Sequence, residues 1–152
     1  MSLIMPSQGP LITPDPSLDW DTWTPTYTNI TKGNGVEVAR YQQAGKTVVI
    51  HYSLKFGSST TIDGSNPTVS LPVNAHSSYI LTHNVVGDSY YFDDDAPGSF
   101  FGVTILQTVS TMKPAMHWVV ATYSQPRFLT ATIPYTWAVD DILYISATYE
   151  GV

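Results

Sequence analysis

Thr47-Val48-Val49-Ile50-His51-Tyr52-Ser53-Leu54-Lys55-Phe56 is the stretch on which the fold turns. Val48, Ile50, Tyr52, Leu54 and Phe56 recur at every second position, and Thr47, Val49, His51, Ser53 and Lys55 fill the positions between. Side chains leave an extended strand on alternate sides, so this run is a strand with one buried face and one mostly wet face. Upstream, Val36–Gln42 also reads as a strand, and Ala44-Gly45 supplies the turn of a hairpin over 36–56. Asn34-Gly35 is a strong turn signal, predicting that Val36–Gln42 folds back on Trp23–Thr31.

The pattern continues downstream. Strands are predicted near Thr68–Pro72, Tyr79–Val86, Ser89–Phe92, Phe100–Val109, Ala115–Thr122, Phe128–Ile133 and Ile142–Tyr149. Turn material separates them: 63–67, Gly87-Asp88, Ala96-Pro97-Gly98 and Asp140-Asp141. No window sustains a 3.6-residue period. About ten short strands punctuated by Gly, Pro and Asn predict an all-β fold, an antiparallel β-sandwich of jelly-roll type. It occupies residues 20–152 as one domain. Residues 1–19 read as an extended arm, because Pro6, Pro10, Pro14 and Pro16 exclude a helix interior or a central strand. A polyproline-like arm rises about 3.1 Å per residue and so reaches tens of Å.

Composition removes several functions. A chain of 152 residues is one domain's worth. Its charged share is 12%, about half the usual ~25%, with Thr, Ser and Asn supplying uncharged polarity instead. Six Lys+Arg against 12 Asp+Glu give a net charge of -6, which argues against nucleic acid, since a row of phosphates needs clustered cations. Cys is absent, so disulfides, thiol catalysis and Cys-ligated metals drop out. No apolar run approaches the ~18–20 residues of a membrane span, and no secretion signal is expected at the N-terminus.

Several strands are apolar on both faces. In Phe100–Val109, Phe101, Val103 and Ile105 oppose Phe100 and Leu106; in Ala115–Thr122, Met116, Trp118 and Val120 oppose Val119. In Ile142–Tyr149, Leu143, Ile145 and Ala147 oppose Ile142 and Tyr144. Uncovered, such faces invite aggregation. A homo-oligomer, a homotrimer above all, is therefore expected, with Phe100, Leu106, Val119, Ile142 and Tyr144 at its interface. The competing reading is a thick single core roofed by loops.

The chemistry-bearing residues offer little for catalysis. His51, His76, His83 and His117 show no ligand spacing, and no Gly-x-Ser-x-Gly elbow occurs. Asp93-Asp94-Asp95 lacks the alternating spacing of a Ca²⁺ loop and reads as a solvated tip. Asp140-Asp141 reads as a turn. No enzyme, cofactor or metal is expected. Ten Tyr and four Trp exceed the needs of a core this size. Tyr90-Tyr91-Phe92 beside the acidic loop suits a sugar, whose C–H faces stack on rings and whose hydroxyls bond to carboxylates. Tyr90, Tyr91, Asp93, Asp94 and Trp137 are the expected glycan-binding set; the alternative is that these rings are packing.

The stretch Trp23-Thr24-Pro25-Thr26-Tyr27-Thr28 is followed by Ala39-Arg40-Tyr41, Gly45-Lys46-Thr47-Val48 and Ser70-Leu71-Pro72, and the chain closes on 137–150, Trp137 to Glu150. In that order these residues resemble the β-rich modules near the C-termini of bacteriophage and prophage tail fibre and minor tail proteins. The resemblance covers roughly residues 20–150 and lies in turns and strand ends. It implies an adhesin-like virion part, often trimeric, that contacts a bacterial surface polysaccharide. It also implies assembly in the host cytoplasm, release by lysis, and residues 1–19 joining other virion proteins. Such modules usually end a longer chain with a collagen-like or coiled-coil stalk, and no stalk pattern occurs here. A structural virion role, in capsid decoration or tail assembly, is the alternative; a glycan-cleaving enzyme is a third.

Overall fold

The computed structural model describes residues 19–79 and 84–152. The expected arm, Asp19 excepted, lies outside the described residues, as do His83 and the middle of the strand expected at Tyr79–Val86. Three two-residue strands come first: β1 (Asp21–Thr22), β2 (Tyr27–Thr28) and β3 (Ile30–Thr31). A long hairpin follows, β4 (Val36–Ala44) and β5 (Thr47–Lys55), then short β6 (Thr61–Ile62) and β7 (Thr68–Ser70). The second half holds β8 (Val85–Asp93), β9 (Gly98–Thr108), β10 (Thr111–Val120), β11 (Tyr123–Phe128) and β12 (Ile142–Glu150).

The fold is all-β and antiparallel, with no helix among the described residues. One 10-stranded sheet follows the order β1-β4-β5-β12-β8-β9-β10-β7-β2 with β11 on β10, and β3 pairs with β6 apart from it. The alternation read in 47–56 holds: Val48, Ile50 and Leu54 are 0% exposed, and Tyr52 and Phe56 are 2%. The last strand, β12, lies between β5 and β8 and turns Leu143, Ile145, Ala147 and Tyr149 to the same core. Each large apolar side chain so buried contributes about 1.5–3 kcal/mol.

Residues 23–28 curl the sheet into a half-barrel by tying its two ends together. The Trp23 amide donates to Ala39 O on β4 at 3.3 Å. Its indole N–H donates to Ser70 O at the end of β7, also at 3.3 Å, and the Ser70 amide returns a bond to Thr26 O. The Tyr27 hydroxyl donates to the Glu37 carboxylate, which is paired with Lys32 Nζ at 3.0 Å. The Tyr52 hydroxyl donates to that of Tyr27 at 3.2 Å. Desolvation beside this seam raises the Glu37 pKa.

Three local expectations are corrected. Gly87-Asp88 is no turn: both residues lie inside β8, where a register shift between Val85 and Gly87 marks a bulge. β8 therefore runs unbroken from Val85 through the expected Ser89–Phe92 strand, because glycine here serves close approach to β12. The strand expected at Phe128–Ile133 ends at Phe128 instead. Its residues Tyr123–Arg127 are exposed and carry no apolar alternation to read. Asn34-Gly35 turns the chain, but β3 pairs with β6, Ile30 opposite Ile62, and β4 with β1. The Asn34 side chain binds Ser58 and Ser59, so this turn docks on the loop after β5 and closes no hairpin.

Candidate functional site

The outer surface of the sheet carries an ordered row of side chains. Val38, Ser53, Tyr144, Tyr90 and Phe101 stand opposite one another on β4, β5, β12, β8 and β9. Their strand neighbours Tyr52, Leu54, Leu143, Ile145 and Tyr91 fill the core, so period two turns this row outward. A second row, Arg40, His51, Ser146 and Asp88, runs beside the first. Residues of both rows, with His117, line a groove of about 610 Å³.

The floor of the groove is aromatic and open. The Tyr90 ring lies 5.4 Å from Phe101 and 5.7 Å from Tyr144, centroid to centroid. Phe101 is 66% exposed and Tyr144 42%. The Tyr90 hydroxyl shares a 2.7 Å hydrogen bond with Ser99 Oγ. Asp88, Ser53, Ser146 and the two imidazoles supply donors and acceptors around this floor. Flat apolar rings among hydroxyls and a single carboxylate suit a neutral polyhydroxylated ligand. Among the described residues no three His, Asp or Glu side chains converge as metal ligands would.

Of the expected glycan set, only Tyr90 lies in the groove. Tyr91 is corrected: it is 0% exposed, with its hydroxyl bonded to Ser89 Oγ at 2.6 Å, and burial raises its pKa. Trp137 is corrected too. It stacks on Phe56 at 4.7 Å and its indole N–H donates to Thr130 O at 3.1 Å, which closes the end of the core. Asp93 is half-buried at the end of β8 and Asp94 stands in the exposed turn after it, both away from the groove lining.

The interface set divides the same way. Leu106 is 0% exposed and Phe100 packs on Tyr135 at 5.4 Å, so neither is free for a partner. The outward residue of the Phe100-Phe101 pair is Phe101, the reverse of the expectation. With apolar residues on both sides of β9, parity alone does not tell inside from outside. Val119 is 71% exposed and Tyr144 outward, both as expected. Ile142 is half-buried on the outer face, opposite Lys55 and Phe92. Tyr144, expected at an interface, instead shares the groove with Tyr90.

Asp141, expected only as part of a turn, does more. It is 0% exposed, and its carboxylate accepts the Asp94 amide at 2.9 Å and the Ala138 amide at 2.6 Å. It thereby pins the acidic turn to the loop before β12. Desolvation raises its pKa against the lowering effect of those amides, and Asp93 and Asp95 add to the rise. Asp141→Ala would leave both half-buried amide donors without this acceptor, at roughly 1 kcal/mol each. The pH dependence has a definite sign. A carboxyl whose pKa is raised on folding stabilises most below its ordinary range, and that contribution fades as pH rises through the folded value. Urea midpoints of the native and Asp141→Ala chains should therefore differ more at acid pH than at neutrality; a gap that widens toward neutral pH would refute this.

The chain matches no protein-family model, no curated protein and no solved structure. Fold and site define it as an all-β, antiparallel protein built on one curled sheet that carries an aromatic groove on its outer face.

Proposed function

We propose that this chain is a non-enzymatic phage virion appendage domain that attaches, as a homo-oligomer, to a bacterial surface polysaccharide. The observation that carries the reading is the outer groove, where Tyr144, Tyr90 and Phe101 form a continuous ring floor flanked by Asp88, Ser53 and Ser146. Sugar C–H faces lie on those rings and hydroxyls bond to the flanking oxygens. The likeness of residues 20–150 to tail fibre modules points the same way. In this reading opposite halves of the curled sheet serve as the two layers of a jelly-roll-like sandwich. The protein assembles in the host cytoplasm and leaves by lysis, with residues 1–19 joining other virion proteins.

Oligomerisation draws on apolar residues that the single chain leaves exposed. Val119 is 71% exposed, Val120 47% and Tyr123 78%, all on the β10–β11 hairpin. Burying about 800 Å² per subunit makes a standard stable interface, and a homotrimer multiplies weak single-site affinity through avidity, by factors of about 10²–10⁴. The same hairpin favours a second reading, a structural virion protein that assembles without binding sugar.

Binding to a glycan array and to whole host cells separates the two. Saturable binding is expected, and Tyr144→Ala should weaken each site about tenfold, the equivalent of losing one stacking ring. Silence across many bacterial envelopes would leave the structural role. Reducing ends released from a bound polysaccharide would instead make the chain an enzyme.

A further inference from the structure

The β10–β11 hairpin carries a run without charge. From Trp118 to Gln125 the chain has no Asp, Glu, Lys or Arg, and the run includes Val119, Val120 and Tyr123. Among the described strands with a single partner, β11 is the longest. It has six residues paired with β10 alone, against two each in β1, β2, β3 and β6. An uncharged, β-forming segment on a free strand edge is a template for pairing with another chain.

The hydrogen-bond phase of this edge follows from the turn. Ala121 and Thr122 are the two residues between the closing pair, Val120 and Tyr123. Ala121 has φ 53°, the positive value that a two-residue hairpin loop asks of its first position. The closing pair of such a hairpin exchanges both backbone bonds, and bonded and non-bonded pairs then alternate. Trp118↔Gln125 and Met116↔Arg127 are therefore bonded, while Val119↔Ser124, His117↔Pro126 and Ala115↔Phe128 are not. At the non-bonded pairs the backbone N and C=O of β11 point away from β10. The outward donors thus fall at Ser124, position 126 and Phe128, and Pro126 has no N–H to offer. Its ring also stands where the hydrogen would be. The middle of three outward donors is missing, at the kind of position where a strand accepts proline without losing a bond to its neighbour. Arg127 follows directly, the first charge after the run. A proline and a charge set just after an uncharged β-forming segment act as gatekeepers against aggregation.

We propose that Pro126 closes the free edge of β11 to strand pairing. A second copy of this chain then cannot extend the sheet there, and meets the hairpin only through its faces, where Val119, Val120 and Tyr123 lie. The closure is a property of the edge itself; contact through the faces rests on the homo-oligomer reading.

Pro126→Thr restores the missing donor on an exposed edge. By light scattering the variant should associate beyond the native assembly, at a concentration about tenfold lower than the native chain needs, equivalent to one recovered hydrogen bond. In hydrogen exchange the Ser124 and Phe128 amides should be fast in the native protein and slowed in the variant. Ser124→Pro, at another outward position, should return the Pro126→Thr chain to the native mass, which separates edge pairing from misfolding. A Pro126→Thr chain with native mass and fast edge amides would overturn the proposal. So would extra association that Ser124→Pro leaves in place, or slow Ser124 and Phe128 amides in the native protein, since the edge would then already be paired. A native chain that scatters as a monomer removes the homo-oligomer reading instead, and its comparison with Pro126→Thr still decides the closure.

Discussion

Gly102→Ala is expected to lower stability by about 3 kcal/mol or more, the upper end of what overpacking costs. A Cβ on Gly102 would stand 2.1 Å from Ala115 O and 2.7 Å from Met116 Cα, both backbone atoms of β10. Rotamer changes cannot relieve contact with backbone, so β9 and β10 must part. Gly87 repeats the arrangement one strand away, its Cβ meeting Ser146 O at 1.9 Å. These two positions lie on adjacent strands, β8 and β9, and let neighbouring backbones approach where the sheet curls. Gly45 is the control: nothing lies within 4 Å of its Cβ, but its φ is +59°. Its replacement by Ala costs only the left-handed conformational term, about 1–2 kcal/mol. Thermal melts of the three Ala variants should rank Gly87 and Gly102 well below Gly45. A Gly102→Ala chain melting with the native one would mean that the strands are not held this close.

Leu143→Ala is the second large effect, at about 2–5 kcal/mol. Leu143 is 0% exposed and stands between Leu54 of β5 and Tyr91 of β8. Truncation would leave a cavity at the centre of the sheet, walled by strands that hydrogen-bonding prevents from collapsing. Its chain neighbour Tyr144 points outward, and Tyr144→Ala should alter stability by no more than about 0.5 kcal/mol. Against a typical total of about 5–15 kcal/mol, the first substitution is serious and the second invisible. Urea titrations at a common m-value measure both. Equal losses at 143 and 144 would place both faces of β12 in packed surroundings and remove the open groove.

How much of this was legible in the sequence depended on whether a strand had one apolar face or two. For β5 the alternation was clean, and Val48, Ile50 and Leu54 are buried as read; β12 was apolar on both faces, and it is the Leu143 and Ile145 side, opposite Ile142 and Tyr144, that is buried. For β9, Phe100, Phe101, Ile105 and Leu106 offered apolar atoms to both sides. The choice fell wrongly on Phe100 and Leu106 as the outer pair. What decides it is long-range packing: Phe100 lies against Tyr135 and Leu106 joins the core, while Phe101 meets Tyr90 on the outer face. Tyr90-Tyr91-Phe92 was equally ambiguous: Tyr91 became core and Tyr90 groove. Asp141 showed no local signal, since its partners, the amides of Asp94 and Ala138, are defined only after two loops meet.

The sequence by itself determined an all-β, antiparallel chain and the inward side of β5, because a period of two needs no long-range knowledge. It also excluded thiol chemistry and argued against nucleic acid through composition. Only the tertiary structure decided that β12, last in the chain, inserts between β5 and β8. That insertion places Tyr144 beside Tyr90 and so creates the groove. Cross-strand register joins residues more than fifty positions apart, and no local pattern specifies which distant row will lie alongside.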